Sequence, residues 1–172
     1  MHVTLTGQGD EPREIDIIDV RPRIVVRKSQ RRLDLFRGDE SAISFEISLG
    51  SEPEGQKTRE GDGRTPEGEF YIFAKNGKSD YHLSLAISYP DTAAVERGLA
   101  EGVISRAQHD TIMVDLTERS WIPQETPLGG RIYIHGGGCD GDWTDGCIAL
   151  SDLDMTAVYD AAFVGMPVKI VP

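Results

Sequence analysis

The sequence lacks what would make a disulfide-stapled, membrane-spanning or nucleic-acid-binding protein. Of its 172 residues only two are cysteines, Cys139 and Cys147, and they lie in one short loop. A single bridge across so small a loop would not staple a domain of this size, so no disulfide framework is expected. No stretch approaches the ~20 consecutive apolar residues of a membrane span. Basic residues are scarce: 18 against 29 acidic ones, a net charge of -11. That excess argues against nucleic acid or an anionic membrane as partner, because both need a basic surface. The acidity itself reads as solubility. The opening MHVTLTGQGDEPREI has no basic segment followed by an apolar one, so no signal peptide is visible. No repeat, low-complexity tract or linker divides the chain. With 38% hydrophobic and 27% charged residues the composition is that of an ordinary soluble protein, one domain over 1–172 with a real core.

The first two-thirds reads as strand. Arg23 to Lys28 is rich in β-branched residues, and Leu33 and Leu35 alternate with polar neighbours up to Phe36. Ile43, Phe45, Ile47 and Leu49 alternate with Ser44, Glu46 and Ser48, the period of a half-buried strand. Turn residues between these runs predict an antiparallel meander. Residues 50–69 hold five glycines, two prolines and no apolar run, a long loop of the kind that tends to be functional. A strand is predicted over Phe70–Ala74 with a turn at Asn76-Gly77, and a short one over Ser84–Ser88. Residues 92–112 predict two short helices broken near Gly102, and 115–130 a loop. Arg131–His135 predicts a strand ending on a histidine. Ser151 with Asp154 resembles a capping box opening a helix, with Met155, Val158, Tyr159 and Ala162 as its core positions. That helix is expected to end at Gly165, before a last strand over Pro167–Val171.

The chemistry concentrates in IYIHGGGCDGDWTDGCIAL. Eleven residues separate His135 from Cys147 across a glycine-rich loop. A cysteine attacks as thiolate, and a nearby imidazole can take its proton. The glycines beside each residue let backbone N–H groups approach a substrate oxygen, and the N–H groups of Gly146 and Cys147 are the candidates for an oxyanion site. Trp143 could wall a groove beside the thiol, and Tyr81 and His82 could line one. Gly63, Arg64, Thr65 and Pro66 read as a structural turn. That loop lacks the GK[ST] ending of a phosphate cradle, so nucleotide is not expected. Cys139 reads as loop packing. Its sharper alternatives are a regulatory bridge to Cys147, or a soft-metal site with His135, Cys147 and Asp142 or Asp145, although the spacing matches no common zinc pattern.

Three stretches together resemble the L,D-transpeptidase catalytic domain of the YkuD type. They are VVRKSQRRLDLFRGDESAISFEISLG, GDGRTPEGEFYI (Gly61–Ile72), and His135-Gly136 followed by TDGCIAL, the most specific of the three. The resemblance spans about residues 24–171. It implies a mostly β fold, an L,D-transpeptidase-like antiparallel β-sandwich with a few short helices. It implies a transferase of cell wall biogenesis, active on peptidoglycan stem peptides at the bond between an L-centre and a D-residue. Cys147 would be its nucleophile and His135 its base. It also implies acylation by carbapenem-type β-lactams, no metal and no organic cofactor, and a place in the cell envelope or periplasm. Hydrolysis of the same bond, as L,D-carboxypeptidase or endopeptidase, is the alternative outcome. A non-catalytic wall-binding module or a metal-binding protein is the alternative of another class.

The sequence departs from the family pattern at several positions. Asp145 stands where many members have His, and Ala149 where many have Arg. Asp152 stands in place of Asn, and Asp154 is kept. Loss of the arginine removes a fixed cation able to grip a carboxylate. These departures lean toward the peptidoglycan-hydrolase branch.

Overall fold

The protein is described from a computed structural model, over residues 2–5, 13–16, 21–38, 41–118 and 122–172. The strands are β1 (His2–Leu5), β2 (Arg13–Asp16), β3 (Arg23–Arg27), β4 (Arg32–Phe36), β5 (Ala42–Glu46), β6 (Gly68–Ser79), β7 (His82–Ile87), β8 (Tyr133–His135), β9 (Ile148–Ala149) and β10 (Pro167–Val171). The helices are α1 (Thr92–Ala100), α2 (Arg106–Glu118) and α3 (Asp152–Ala161). β1 and β2 form a hairpin of their own. The other strands make one eight-stranded sheet in the order β5-β4-β3-β10-β6-β7-β8-β9.

The meander β3-β4-β5 is antiparallel, as its turn-separated alternation predicts. The whole sheet is mixed, because β10 runs parallel to β3 and β9 parallel to β8. It curls so far that its ends meet. Beyond β5 the chain crosses to β9, where Ser48 and Ala149 exchange two backbone hydrogen bonds of 2.9 Å each. This explains a split in the 43–49 run. Ile47 and Leu49 are buried at that seam, while Ile43, on the edge strand, stays 44% exposed. Phe45 packs partly against the core, and Ser48, on the polar side of the alternation, is buried together with Ile47 and Leu49.

The main core joins Ile24, Val26, Leu33 and Leu35 to Ile72, Leu85, Ile87, Ile134 and Ile148, all fully buried, with Met155 and Val158 of α3 against them. A smaller core of Val95, Ile104, Ile112 and Leu128 holds α1 and α2 together. α3 opens as expected: the Ser151 hydroxyl accepts from the backbone N–H of Asp154 at 3.1 Å. It ends at Ala161, four residues before Gly165.

The strand read over Arg131–His135 begins only at Tyr133, the one read over Ser84–Ser88 spans His82–Ile87, and two boundaries differ most from the sequence reading. The strand expected to stop at Ala74 continues to Ser79, through Asn76-Gly77, and the chain turns at Asp80-Tyr81 instead. Cross-strand pairing with β7, interrupted by bulges, overrides the turn preference of Asn-Gly. α2 runs on to Glu118, inside the span expected to be loop, because its buried face packs on α1.

The 50–67 loop is pinned by two buried lysines. Lys28 Nζ donates to the carbonyls of Gly55 (2.6 Å) and Thr65 (3.0 Å) and to Glu67 Oε1 (2.8 Å). Lys57 Nζ donates to Asp62 Oδ1 at 2.8 Å. Burial works against ionisation of Asp62. Lys57 and the backbone N–H groups of Thr58, Arg59 and Arg64 outweigh it and hold the carboxyl below its ordinary value. A loop anchored this way is a rigid wall.

Candidate active site

His135 is the last residue of β8, and Cys147 immediately precedes β9. The parallel register sets Ile134 beside Ile148 and His135 beside Ala149. Side chains alternate along a strand, so the buried Ile134 and Ile148 take one face. Tyr133, His135, Cys147 and Ala149 share the other. The local folding of Gly136–Gly146 thus does one thing: it returns the chain to β8's side with the thiol on the imidazole's face.

That face floors a cleft of about 250 Å³. Ser84, Tyr133, His135 and Cys147 form its base. The tip of the β6–β7 hairpin supplies its other side, through Asn76, Lys78, Ser79, Asp80 and Tyr81. Tyr81 lies against the imidazole with ring centroids 4.7 Å apart, and Trp143 meets the same ring edge-on at 5.7 Å. The Tyr81 and Trp143 rings are themselves 5.7 Å apart. Both aromatics are exposed, at 48% and 41%, whereas His135 is only 4% exposed beneath them. His82 is placed differently. Its Nε2 pairs with Thr156 Oγ1 of α3 at 2.9 Å, and its ring is not among the groups bounding the cleft. It holds the hairpin tip, and therefore Tyr81, against α3.

The imidazole is held in one tautomer. Its Nδ1 lies 2.6 Å from the carbonyl oxygen of Gly136. A carbonyl can only accept, so Nδ1 carries the proton and Nε2 keeps its lone pair. Burial drives the imidazole pKa below its usual value, the Gly136 bond opposing this in part. The ring is therefore neutral and basic at Nε2 at neutral pH. The turn after it is fixed by Asp152, whose Oδ1 accepts from Gly137 N–H at 2.8 Å. A Cβ on Gly136 would come within 2.6 Å of that same oxygen, so the close approach requires glycine.

The thiol is docked on the start of β8. Cys147 Sγ accepts from Tyr133 N–H and donates to the Arg131 carbonyl, both at 3.4 Å. Burial pushes its pKa up to about 11. The Tyr133 N–H opposes this, nearby Asp145 adds to it, and Lys57 opposes it. The resting pair is thus a neutral thiol and a neutral imidazole.

The two candidate oxyanion donors are not equivalent. Gly146 N–H is already donated to Thr144 Oγ1 at 3.2 Å, and that hydroxyl donates onward to the Cys147 carbonyl at 2.8 Å. Cys147 N–H has no acceptor among the described residues. Gly146 instead serves packing. It has φ 131°, and a Cβ there would lie 2.6 Å from the Arg64 carbonyl. The Gly63–Pro66 turn therefore presses directly against the cysteine loop.

Cys139 and Cys147 are both free thiols. Cys139 lies near Glu46 and the backbone of Ser151, with its pKa raised by burial and then by Glu46. No group of three or more His, Cys, Asp or Glu side chains among the described residues converges as metal ligands would, and this includes the set of His135, Cys139 and Cys147. Asp142 is engaged elsewhere: it takes a bidentate contact from Arg31 and the Leu49 N–H, tying the Trp143 loop to the curled sheet.

Sequence reasoning missed Thr144, the anchoring role of Asp142 and most of the hairpin tip. Tyr133, two residues before His135 on one strand, was recoverable from strand alternation, whereas Ser84 joins it only through the pairing of β7 with β8. Nothing local to Lys78 or Asp80 signals that they bound the cleft.

The sequence profile of the YkuD family, the L,D-transpeptidase catalytic domain, matches residues 21–170. No curated protein matches the chain in sequence. Among solved structures it is similar to the K307A mutant of the helical cell shape determining protein Pgp2 from Campylobacter jejuni. Identity there is 21% and the TM-score 0.60, over 87% of this chain and 46% of that one. Bd1075 of Bdellovibrio bacteriovorus is 18% identical with a TM-score of 0.53, over 88% and 48% of the two chains. L,D-transpeptidase 1 of Mycobacterium tuberculosis is 15% identical with a TM-score of 0.50, over 88% and 61%. The chain thus spans about half the length of the first two structures, and the likeness is one of fold.

Proposed function

The chain belongs to the L,D-transpeptidase catalytic domain family, and from that premise we infer that it performs acyl transfer on peptidoglycan stem peptides through Cys147. The observation that carries this reading is the shared face of β8 and β9, which sets Cys147 and the Nδ1-protonated His135 at the base of one cleft.

In the first step Nε2 of His135 takes the thiol proton as Sγ bonds to the carbonyl carbon between an L-centre and a D-residue. The tetrahedral oxyanion receives the Cys147 N–H, the donor without an internal acceptor. The carbon–nitrogen bond then breaks, the imidazolium returns its proton to the departing amine, and a thioester remains. An amine or water next attacks the thioester, losing its proton to His135, and the thiol is restored. No metal or organic cofactor enters the scheme. The neutral resting pair suits it, since proton transfer accompanies attack.

Water is the commoner second substrate in this reading. Ala149 is fully buried beside Ser48 and His135, so no cation reaches the cleft from that position to hold an acceptor carboxylate. The substrate class places the activity in the cell envelope. Mass spectrometry of products from a defined tetrapeptide muropeptide, with and without an added D-amino acid, tests both points. Loss of the terminal D-alanine as the main product supports the reading. Dominant exchange or cross-linking would move acceptor binding to another part of the cleft, and no product at all would remove the enzymatic reading.

A further inference from the structure

Two buried charges hold the turn that presses on the cysteine loop. Lys57 and Asp62 pair at 2.8 Å, with side chains only 2% and 9% exposed. Asp62 is the hub of the turn. Its Oδ1 also accepts from Arg64 N–H at 3.1 Å, and its Oδ2 accepts from Thr58 N–H at 2.7 Å and Arg59 N–H at 3.1 Å. From this hub the turn reaches the cysteine loop directly, since a Cβ on Gly146 would lie 2.6 Å from the Arg64 carbonyl oxygen. It is braced there by residues 50–52: the Gly63 carbonyl accepts from Glu52 N–H at 3.0 Å, and Gly50 N–H donates to the buried Thr65 Oγ1 at 3.2 Å. Lys57 touches a second segment. Its stem runs against Gly129, where a Cβ would lie 2.6 Å from Lys57 Cε. Two residues further on, the Arg131 carbonyl accepts the Cys147 thiol. The pair therefore adjoins both walls of the thiol's dock.

A buried ion pair loses about as much in desolvation as its attraction returns, so stability alone does not account for one placed here. Its contacts act on geometry. We propose that Asp62, with Lys57 as its counterion, is a positioning residue for Cys147: through the Arg64 carbonyl it sets Gly146, and with it the direction of the Cys147 N–H and the depth of the thiol. Thr144 ties Gly146 to Cys147 from within the loop, accepting from one and donating to the other. The Asp62 turn fixes that loop from outside. The field of Lys57 also favours the thiolate, against the burial that disfavours it. The inference rests on the function proposed above and deepens it, by naming residues that act on the nucleophile without touching substrate.

The test reads two quantities in the full chain carrying Asp62→Asn, which loses the charge and half of the hub's accepting oxygens. A loosened turn should expose the docked thiol and misplace it at once. Iodoacetamide alkylation of Cys147 is therefore expected to rise about tenfold, while Cys139 in the same molecule keeps its rate. Over the same change kcat on a tetrapeptide muropeptide should fall about ten- to a hundredfold, with KM shifting less than about twofold. The single substitution strands a buried ammonium. Lys57→Met/Asp62→Asn removes both charges while keeping a stem against Gly129, and the same two shifts are expected of it. Both cysteines are followed by peptide mass, below the thermal midpoint of each variant. Equal rises at Cys139 and Cys147 would reduce the pair to a general brace and overturn the inference. Unchanged alkylation and kcat in either folded variant would overturn it too. A parent protein inactive on every muropeptide removes the proposed function instead. The ratio of the two alkylation rates needs no substrate, and it then decides by itself whether the turn positions Cys147.

Discussion

Nδ1 of His135 donates to the carbonyl oxygen of Gly136, 2.6 Å away, so the residue that follows the histidine fixes its tautomer. The same residue's close approach to Asp152 requires it to be glycine. The His-Gly step is therefore one device. It presents a lone pair at Nε2, and Asp152 keeps the turn from relaxing.

Asp152 accordingly acts through His135. Replacing it with Ala frees Gly137 N–H and loosens the turn. kcat is expected to fall about ten- to a hundredfold with KM nearly unchanged, since small misplacements of a catalytic group cost that much. Asp152→Asn keeps an acceptor oxygen and should recover most of the loss. A variant that raised KM and left kcat intact would make Asp152 a substrate contact instead.

Cys147→Ala is expected to abolish turnover by at least ~10³-fold, while Cys139→Ala retains most of it. The assay is steady-state release of D-alanine from a tetrapeptide. A dead Cys139 variant beside an active Cys147 variant would invert the assignment.

The thiol proposed to form an acyl-enzyme should also open the strained carbonyl of a β-lactam. Incubation of this protein with a carbapenem should add a single adduct by intact mass, absent from Cys147→Ala. An adduct that persisted there would place the reactive group elsewhere.

The Cys147 thiol, pushed up to about 11, loses its proton later than an unfolded cysteine, which titrates near ~8.5. Its alkylation by iodoacetamide should therefore climb steadily from pH 7 to 10 rather than level off near 9. Asp145→Asn, which removes a neighbouring negative charge, should raise the rate at each pH. The same shift has a stability sign. The folded state prefers the neutral thiol, so its contribution is complete below ~8.5 and is lost as pH rises toward 11. The thermal midpoint should fall more steeply over that range than in Cys147→Ala. An alkylation plateau near pH 8 would show the thiolate to be stabilised in the resting protein.

An arginine introduced at position 149 does not supply a carboxylate grip. Ala149 is fully buried, exchanging two backbone hydrogen bonds with Ser48 and sitting beside His135. An arginine there must bury an unpaired charge or break the seam. Ala149→Arg is expected to destabilise the fold by about 3 kcal/mol or more, read by urea denaturation. A stable, active Ala149→Arg protein would show that the seam opens readily.

Much of this protein was legible one residue at a time. The Ser151 cap, the break near Gly102 and the β3-β4-β5 meander follow from local rules, because each depends on hydrogen bonds and side-chain period within a few residues. The pair of His135 and Cys147 was visible for a similar reason: a short glycine-rich return keeps both ends in one stretch of sequence. Their parallel register and shared face came from pairing of β8 with β9, but the motif already implied proximity. The hairpin tip was not legible. Asn76-Gly77 carries a strong turn signal, yet pairing with β7 carried the strand past it and placed Lys78, Asp80 and Tyr81 at the cleft. The burial of Ala149 and Ser48 was equally hidden, since it arises where the sheet curls and its ends meet, residues a hundred positions apart. Local propensity decides how a segment folds. What faces the thiol, and which positions have room for a charge, was decided by contacts between segments that carry no record of one another.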